Sequence, residues 1–540
     1  MVRRFGLPAL LMVALAVRAW GLGFGLPFAY ARPDETAVAG PAVGFLSGDL
    51  RPPFLQWPTL FSYLTALVYA IYGGVLGPLT GFTSLADFAD SRYRSLAPFL
   101  YITRTMSMVM GVATVWAVYA LSRRVFDEAS AWVAALFVAL AYLHVRDSHF
   151  GVTDVSMTAL VVLTVLVITR WTATGRMKHA ALAGVVAGLA ASTKYNGLGV
   201  AISFVVAAVM RVFEANPGPE KTAAIRTGAS AGVVFAGALA VAFLGTSPYV
   251  VIDWRRFLHD IGMVQSTLAL GHGMVIGRGW SYYAGVVLPA GVGWPIALAG
   301  AAGLLALLVT RPRQSAVVLA FPIAYYVYAG RGFAVFARYV LPVIPFLCMT
   351  AAWFIVWTVR GVMRHTSPAW TRAAIAIVAL AMVAPTAWQT LQADRLLAAT
   401  DNRVIASRAL ADLVPEGSVV CQTGGPDGRV PFALEGRSPT ITESEWDENA
   451  KQFTALPAWV VVQRSPLVLY SAVPEALERV LRDDFDLVTR YPTESPGASA
   501  TSTRVDRLYD QQDAFYLPLR GLDGLERPGP EFEVYRRRQE

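Results

Sequence analysis

Long apolar runs separated by short polar joins fill the first 391 residues, and the pattern then changes abruptly. A hydrocarbon core is spanned by about 20 residues of helix, so runs of this length predict membrane spans. Lys and Arg in the short joins set sidedness. Phe5–Gly25 leads outward. Leu96–Leu121 returns to Arg123 and Arg124, and Ala129–Leu143 comes out. Val155–Ile168 goes in to Arg170, Arg176 and Lys178, and Ala180–Ser192 comes out. Leu198–Met210 reaches Arg211, Lys221 and Arg226, and Ala229–Leu244 returns. Tyr282–Val309 runs to Arg311 and Arg313, with Ala316–Tyr328 as its return. Tyr339–Val359 ends at Arg360 and Arg364, and Ala373–Leu391 closes the series. This alternation holds when Trp57–Leu76, which follows Arg51-Pro52-Pro53 and is rich in interfacial aromatics, is read as a helix on the outer surface. The fold class is therefore a polytopic α-helical membrane protein of about 11 spans.

After about Gln392 the periodicities are those of a soluble domain. Asn402–Leu413 and Pro474–Arg482 read as helices; Ser418–Cys421, Ala458–Gln463, Asp513–Leu517 and Phe532–Tyr535 read as strands. Gly424–Gly428 reads as a tight turn and Glu494–Ser502 as a polar loop. Residues 1–391 are thus expected to form the membrane domain, with a first outer loop over 26–95. Residues 392–540 form an α/β domain on the outer face.

Composition adds little to this picture. With 55% hydrophobic and 15% charged residues, a soluble globular chain is excluded. The net charge of +8 lies mostly in the inner joins, where it orients spans and meets anionic lipid, so no nucleic acid is implied. Cys348 and Cys421 fall in different compartments, which predicts no disulfide and no metal cluster. The N-terminus has Arg3, Arg4 and a small-x-small triplet at Ala29-Tyr30-Ala31, as a signal peptide would. Its apolar stretch is long for one and carries Arg18 and Trp20, so it is read as a retained span.

Candidate chemistry begins at Ala31-Arg32-Pro33-Asp34-Glu35-Thr36. Pro33 favours an extended Arg32, and the adjacent carboxylates suit the first turn of a helix. Further polar groups are assigned to the same outer face: Arg146, Asp147, His149 and Asp154 in one turn, and Lys194 at the end of an outward span. His272 and Arg278 fall in a long loop from Thr246 to Ser281, and Arg331 and Arg338 precede Tyr339. Singly, each has a bland explanation. Arg146 and Asp147 can pair, Asp154 can cap its helix, and Lys194 and Arg338 can snorkel. Together, cations on the face where the positive-inside rule disfavours them indicate a site for an anion such as phosphate.

These residues sit in motifs that resemble a known family. The motifs are RPDE after the first span, FLSGDL and QWPTLFSYL on the outer surface, SHFGVTD, STKYNG and ARYVLPVIP. YDQQDAFYLPL and RPGPEFEVY end the series. The set resembles the type-C (GT-C) glycosyltransferases of the protein O-mannosyltransferase and lipid A aminoarabinose transferase group. The resemblance implies inverting transfer of a sugar from a polyprenyl-phosphate carrier to an extracytoplasmic acceptor. The implied setting is a bacterial plasma membrane, with the site facing the periplasm or exterior. It implies Asp34 as the catalytic carboxylate, with Glu35 beside it and Asp154 as a supporting acid. Lys194 and the Arg338-Tyr339 pair would hold the donor phosphate; beside what the resemblance implies, Arg278 is a further candidate for it, with Arg32, His149 and His272 as supporting candidates. Gln56-Trp57-Pro58 departs from the lysine usual before this proline in aminoarabinose transferases. No cofactor is called for, a divalent metal stays open, and membrane lipids are the remaining partners. The competing class is a lipid or glycolipid flippase with an outward-facing anion site.

Overall fold

The structure, a computed structural model, describes residues 2–434, 440–494 and 507–539. The polar loop expected over Glu494–Ser502 lies, from residue 495 onward, outside the described residues. The chain divides into two compact units. One comprises Met1–Ala19, Val38–Tyr72 and Thr103–Thr390; the other comprises Trp20–Ala37, Gly73–Ile102 and Leu391–Glu540.

The first unit is helical. Among the described residues of the chain, six helices are long and apolar enough to cross a membrane, or seven if one bent pair counts as a span. Shorter apolar helices cover Gly6–Ala19, Leu60–Leu76 and Trp294–Thr310. Lipid supplies no hydrophobic drive between helices, so close approach depends on small residues. The helix Met177–Thr193 meets Pro219–Thr246 through Gly184 and Gly188. A Cβ at these glycines would lie 2.3 and 2.4 Å from the carbonyl oxygens of Phe235 and Leu239.

Three expected elements differ. Tyr282–Val309 is not one helix but breaks at Gly293, whose φ of 83° only glycine adopts readily, and restarts at Trp294-Pro295. The long loop expected from Thr246 to Ser281 contains the helix Trp254–Leu270, whose polar residues hid its amphipathic pattern. Ala129–Leu143 is also broken. Its helix Glu128–Leu140 stops at an extended Ala141 and resumes as Tyr142–Ser148 at 56°.

That last break exposes carbonyls in the buried interior of the first unit, where each must be satisfied by protein. Arg18 does this for two of them: its guanidinium donates to Val138 O at 3.2 Å and Ala139 O at 3.0 Å. It also reaches Ser148 Oγ at 3.2 Å and His144 Nδ1 at 2.9 Å, and it is fully buried. Thr390 donates to Leu140 O at 3.1 Å, while the Thr386 hydroxyl accepts the Tyr142 N–H at 3.1 Å. The charge that looked out of place in the first span is the cap of a broken helix.

The second unit carries a five-stranded sheet. In chain order the strands are β1 (Val419–Gln422), β2 (Thr442–Ser444), β3 (Trp446–Asp447), β4 (Gln452–Phe453), β5 (Trp459–Arg464), β6 (Phe485–Tyr491) and β7 (Glu531–Arg537). The sheet order is β2-β1-β5-β7-β6, with β3 and β4 forming a separate pair. β1 pairs in parallel with β2 and β5, whereas β7 runs antiparallel to β5 and β6. Strand alternation gives the central β5 two buried faces, which accounts for its unbroken apolar run. Trp459 and Val461 pack with Ala406 and Leu410 of the helix Asn402–Leu413. Val460 and Val462 pack with Leu477 and Leu481 of the helix Glu475–Asp484. The strand expected at Asp513–Leu517 is absent: the segment is buried but unpaired in any sheet, because its polar side chains are committed elsewhere.

Two outcomes follow from this packing. Arg18→Met should lower the thermal midpoint of the detergent-solubilised protein, since each orphaned buried carbonyl costs roughly 1–3 kcal/mol. Arg18→Lys should recover part of the loss; a midpoint unchanged by Met would show that the cap contributes nothing. Burial pushes the Cys421 thiol up to about 11, and the residue is almost fully enclosed. An impermeant maleimide at neutral pH should therefore label it only after unfolding.

Candidate active site

In the second unit, the Arg32-Pro33-Asp34-Glu35 loop is held from the C-terminal part of the chain. The Arg32 guanidinium meets the Asp513 carboxylate at 2.5 Å, with side-chain exposures of 0% and 4%. It also stacks 5.4 Å from the Phe515 ring, and Phe515 meets Phe24 edge-on at 6.0 Å. Arg403, paired with Asp401 at 2.6 Å, donates to the Asp427 carbonyl and lies 4.8 Å from the Phe28 ring. Burial pushes the Asp427 carboxyl up; Arg403 pulls it down, and the negative charge of Asp34 pushes it up again. Arg32, Asp34, Arg403, Asp427 and Asp513 thus form one electrostatic group within this unit.

The two carboxylates of the motif are not equivalent. Asp34 is half-exposed and has φ of 73°, while Glu35 is fully buried at the start of the helix Glu35–Gly44. Asp tolerates the left-handed region better than most residues, yet such a conformation still costs about 1–3 kcal/mol and persists only where the surroundings enforce it. Here a buried ion pair two residues earlier and a helix one residue later enforce it.

In the first unit, a second group forms around three aromatic residues, Phe333, Phe336 and Tyr339. The helix Met177–Thr193 ends at Lys194, whose Nζ donates to Asp154 Oδ1 at 2.6 Å and lies 5.3 Å from the Tyr339 ring. Asp154 sits in the first turn of Thr153–Thr174, whose cap position belongs to Val152, so its carboxylate serves Lys194 and not the helix end. Arg338 packs 4.3 Å from the Phe336 ring and 5.9 Å from Tyr339. The His272 ring lies 5.0 Å from Phe336, and Arg278 lies 5.5 Å from Phe333. Backbone bonds from Gly279 N to Gly332 O and from Trp280 N to Gly330 O join the segments that carry these residues.

Asp154, Lys194, Tyr339, Arg338 and His272 are therefore linked through the Phe336–Tyr339 ring pair, 5.2 Å apart, and Arg278 rests on Phe333, three residues before Phe336. His149 is placed otherwise: it is fully buried and its Nδ1 bonds to Val145 O at 3.0 Å. Arg146 and Asp147, read as a turn, lie on the buried helix Tyr142–Ser148 and pair at 2.9 Å. A further contact was invisible in the chain. Tyr195, next to Lys194, donates to Leu55 O at 3.0 Å, and Asp260 accepts the Leu55 N–H at 2.7 Å. These bonds fix the approach to Gln56-Trp57-Pro58. Asp513, Asp427, Arg403, Phe333 and Phe336 were missed as candidate site residues. Only the YDQQDAFYLPL motif hinted at the first, without assigning it a partner.

Residues 101–225, which include Asp154 and Lys194, match the family model of the dolichyl-phosphate-mannose-protein mannosyltransferases. No curated protein matches the chain. Among solved structures, the apo state of ArnT from Cupriavidus metallidurans is 13% identical, with 91% of this chain and 97% of that chain covered at a TM-score of 0.50. ArnT of the same organism bound to undecaprenyl phosphate is 15% identical, with coverages of 90% and 96% and a TM-score of 0.48. The Archaeoglobus fulgidus oligosaccharyltransferase in its apo form is 14% identical at a TM-score of 0.48. The match covers 78% of this chain, which spans 63% of that relative's length. The protein is a multi-pass membrane protein with the GT-C glycosyltransferase fold.

The clamp on the Arg32 loop gives a test. Breaking a buried ion pair from one side costs about 3–5 kcal/mol, whereas replacing both partners with apolar groups is often far milder. Arg32→Met and Asp513→Asn should each lower the thermal midpoint and expose the 20–37 segment to limited proteolysis. Arg32→Met combined with Asp513→Leu should recover much of the loss. Additive damage in the double variant would show that the two residues act separately.

Proposed function

We propose that the protein is an inverting membrane glycosyltransferase that takes a sugar from a polyprenyl-phosphate carrier and moves it to an extracytoplasmic hydroxyl or amine. The observation that supports this reading most is the state of Asp34: a half-exposed carboxylate in a strained backbone, locked by Arg32 and Asp513, beside a buried Glu35. The solved complex of ArnT with undecaprenyl phosphate and the mannosyltransferase family match agree with a lipid-phosphate donor. On this reading the site and residues 392–540 face the periplasm or exterior of a bacterial plasma membrane, and residues 1–391 make the membrane domain.

The chemistry asks for three roles. The acceptor O–H or N–H attacks the anomeric carbon from the face opposite the phosphate, and Asp34 takes the proton. The bond from that carbon to the phosphate oxygen breaks, and the carrier leaves as polyprenyl phosphate. Lys194, Arg338 and Arg278 stabilise the charge that grows on the leaving phosphate. Asp154 sets the position of the Lys194 ammonium, and Tyr339 supplies the ring face beneath it. Aromatic packing holds the long arginine stems in place and lowers the entropy lost when they grip an anion.

Asp34→Asn should reduce sugar transfer by about 10²–10⁴-fold with an unchanged elution profile. Lys194→Met should weaken binding of a labelled polyprenyl-phosphate sugar at least tenfold, since a charge-assisted contact is worth about 1.5–3 kcal/mol. Lys194→Arg should rescue only in part, because a planar fork replaces a compact ammonium. Purified protein incubated with a panel of such donors, with release of free lipid phosphate as readout, checks the reaction itself. Full transfer by Asp34→Asn, or donor binding indifferent to Lys194→Met, would overturn these assignments.

A further inference from the structure

A cavity of about 410 Å³ opens in the second unit, and none of its lining residues is assigned to the chemistry above. Its walls carry Arg464, Arg507, Glu494, Glu531, Tyr509 and Tyr516. We propose that it binds a neutral carbohydrate, the sugar portion of the acceptor, an inference that rests on the glycosyltransferase reading.

Size places it within the range of small-molecule sites, roughly 300–1,000 Å³. The composition of its wall then chooses among ligands. Two arginines face two glutamates, so the formal charge of the lining cancels. Both arginines are also already committed: Arg507 pairs with Glu494, and Arg464 pairs with Glu478 and with Glu533, the latter at 2.9 Å. A phosphate would meet no surplus cation, which argues against an anion site. A lipid tail would have to desolvate four charged groups, which argues against an apolar ligand.

What such a wall offers is donors and acceptors in planar, rigid groups, backed by two buried tyrosines. Tyr509 and Tyr516 are 7% and 4% exposed. The buried Arg507 Nε has no hydrogen-bond acceptor among the described residues. A pyranose presents a rim of hydroxyls, each both donor and acceptor, around an apolar C–H face. Guanidinium and carboxylate groups match adjacent hydroxyls in pairs, and the edges of the two buried tyrosines close the base of the site.

The cavity is also joined to the candidate catalytic loop within its own unit. Tyr509 and Tyr516 bracket the segment whose Asp513 grips Arg32, two residues before Asp34. Tyr516 accepts from Gln463 Nε2 at 2.6 Å, and Tyr470 donates to Gln512 O at 2.7 Å, so the segment is fixed to the sheet domain on both sides of Asp513. A sugar held against these tyrosines would steady the loop that carries the base.

The test uses the full chain in detergent, probed with disaccharides of glucose, galactose, mannose and N-acetylglucosamine by saturation-transfer difference NMR. At least one should bind, and inorganic phosphate should not compete. Glu531→Gln should weaken binding about tenfold. Pro466→Trp, which adds bulk from an exposed position on the rim, should abolish it. Asp34→Asn should bind the sugar as the wild type does. Circular dichroism and elution volume establish that each variant is folded. Competition by phosphate, binding unaffected by both cavity variants, or no binding by any disaccharide would each overturn the inference. Normal donor turnover without sugar binding would sink the cavity and spare the proposed reaction. Sugar binding by a protein that releases no lipid phosphate from any donor would do the reverse.

Discussion

A charge enclosed in protein must find its counter-charge there, and the Arg32–Asp513 pair meets that requirement across 481 residues of chain. Desolvating either group alone would cost several kcal/mol, so the two ends of the chain are committed to each other before any substrate arrives. The consequence is local and mechanical. Pro33 has a fixed φ, Arg32 is anchored, and Glu35 opens a helix, which leaves Asp34 in a left-handed conformation with its side chain half-exposed. Of the two adjacent acids, the one available for chemistry is the one whose backbone is strained.

The same rule operates in the membrane unit with carbonyls in place of carboxylates. The helix Glu128–Leu140 ends inside protein, with Val138 and Ala139 buried. Arg18 and Thr390 supply the donors, Thr386 accepts the Tyr142 N–H, and the short helix that follows can then carry the paired Arg146 and Asp147. Irregular buried backbone is tolerated because polar side chains from other helices complete it. The breaks at Ala141 and Gly293 are thus not weak points in otherwise regular spans; each is a place where the chain changes direction at a known cost, offset by named partners or by a glycine.

Aromatic residues do for the cations of the first unit what ion pairing does for Arg32. Lys194, Arg338, Arg278 and His272 come from three separate stretches, and each rests on a ring of Phe333, Phe336 or Tyr339. Ring faces attract cations, so the lysine and the two arginines are held in place and lose freedom. Lys194 also has a carboxylate at hydrogen-bond distance, and Asp154 holds it at the end of its helix.

Hydropathy and the placement of basic residues by themselves determined a membrane protein of many spans, because burial of apolar side chains in lipid is a property of each run taken singly. Period-two and period-3.6 patterns likewise located the helix Asn402–Leu413 and the strands at Val419–Gln422, Trp459–Arg464 and Glu531–Arg537. Local motifs marked Asp34, Glu35, Asp154, Lys194 and Arg338 for attention, since Pro-Asp-Glu and Ser-Thr-Lys-Tyr are legible within a few residues. What no local pattern could decide was partnership. That Asp513 belongs to Arg32 and not to a strand, that Arg18 caps a helix over a hundred residues away, and that Lys194 is paired with Asp154 are outcomes of packing. A buried polar atom takes whichever partner the fold brings within about 3 Å, and sequence distance carries no information about that choice.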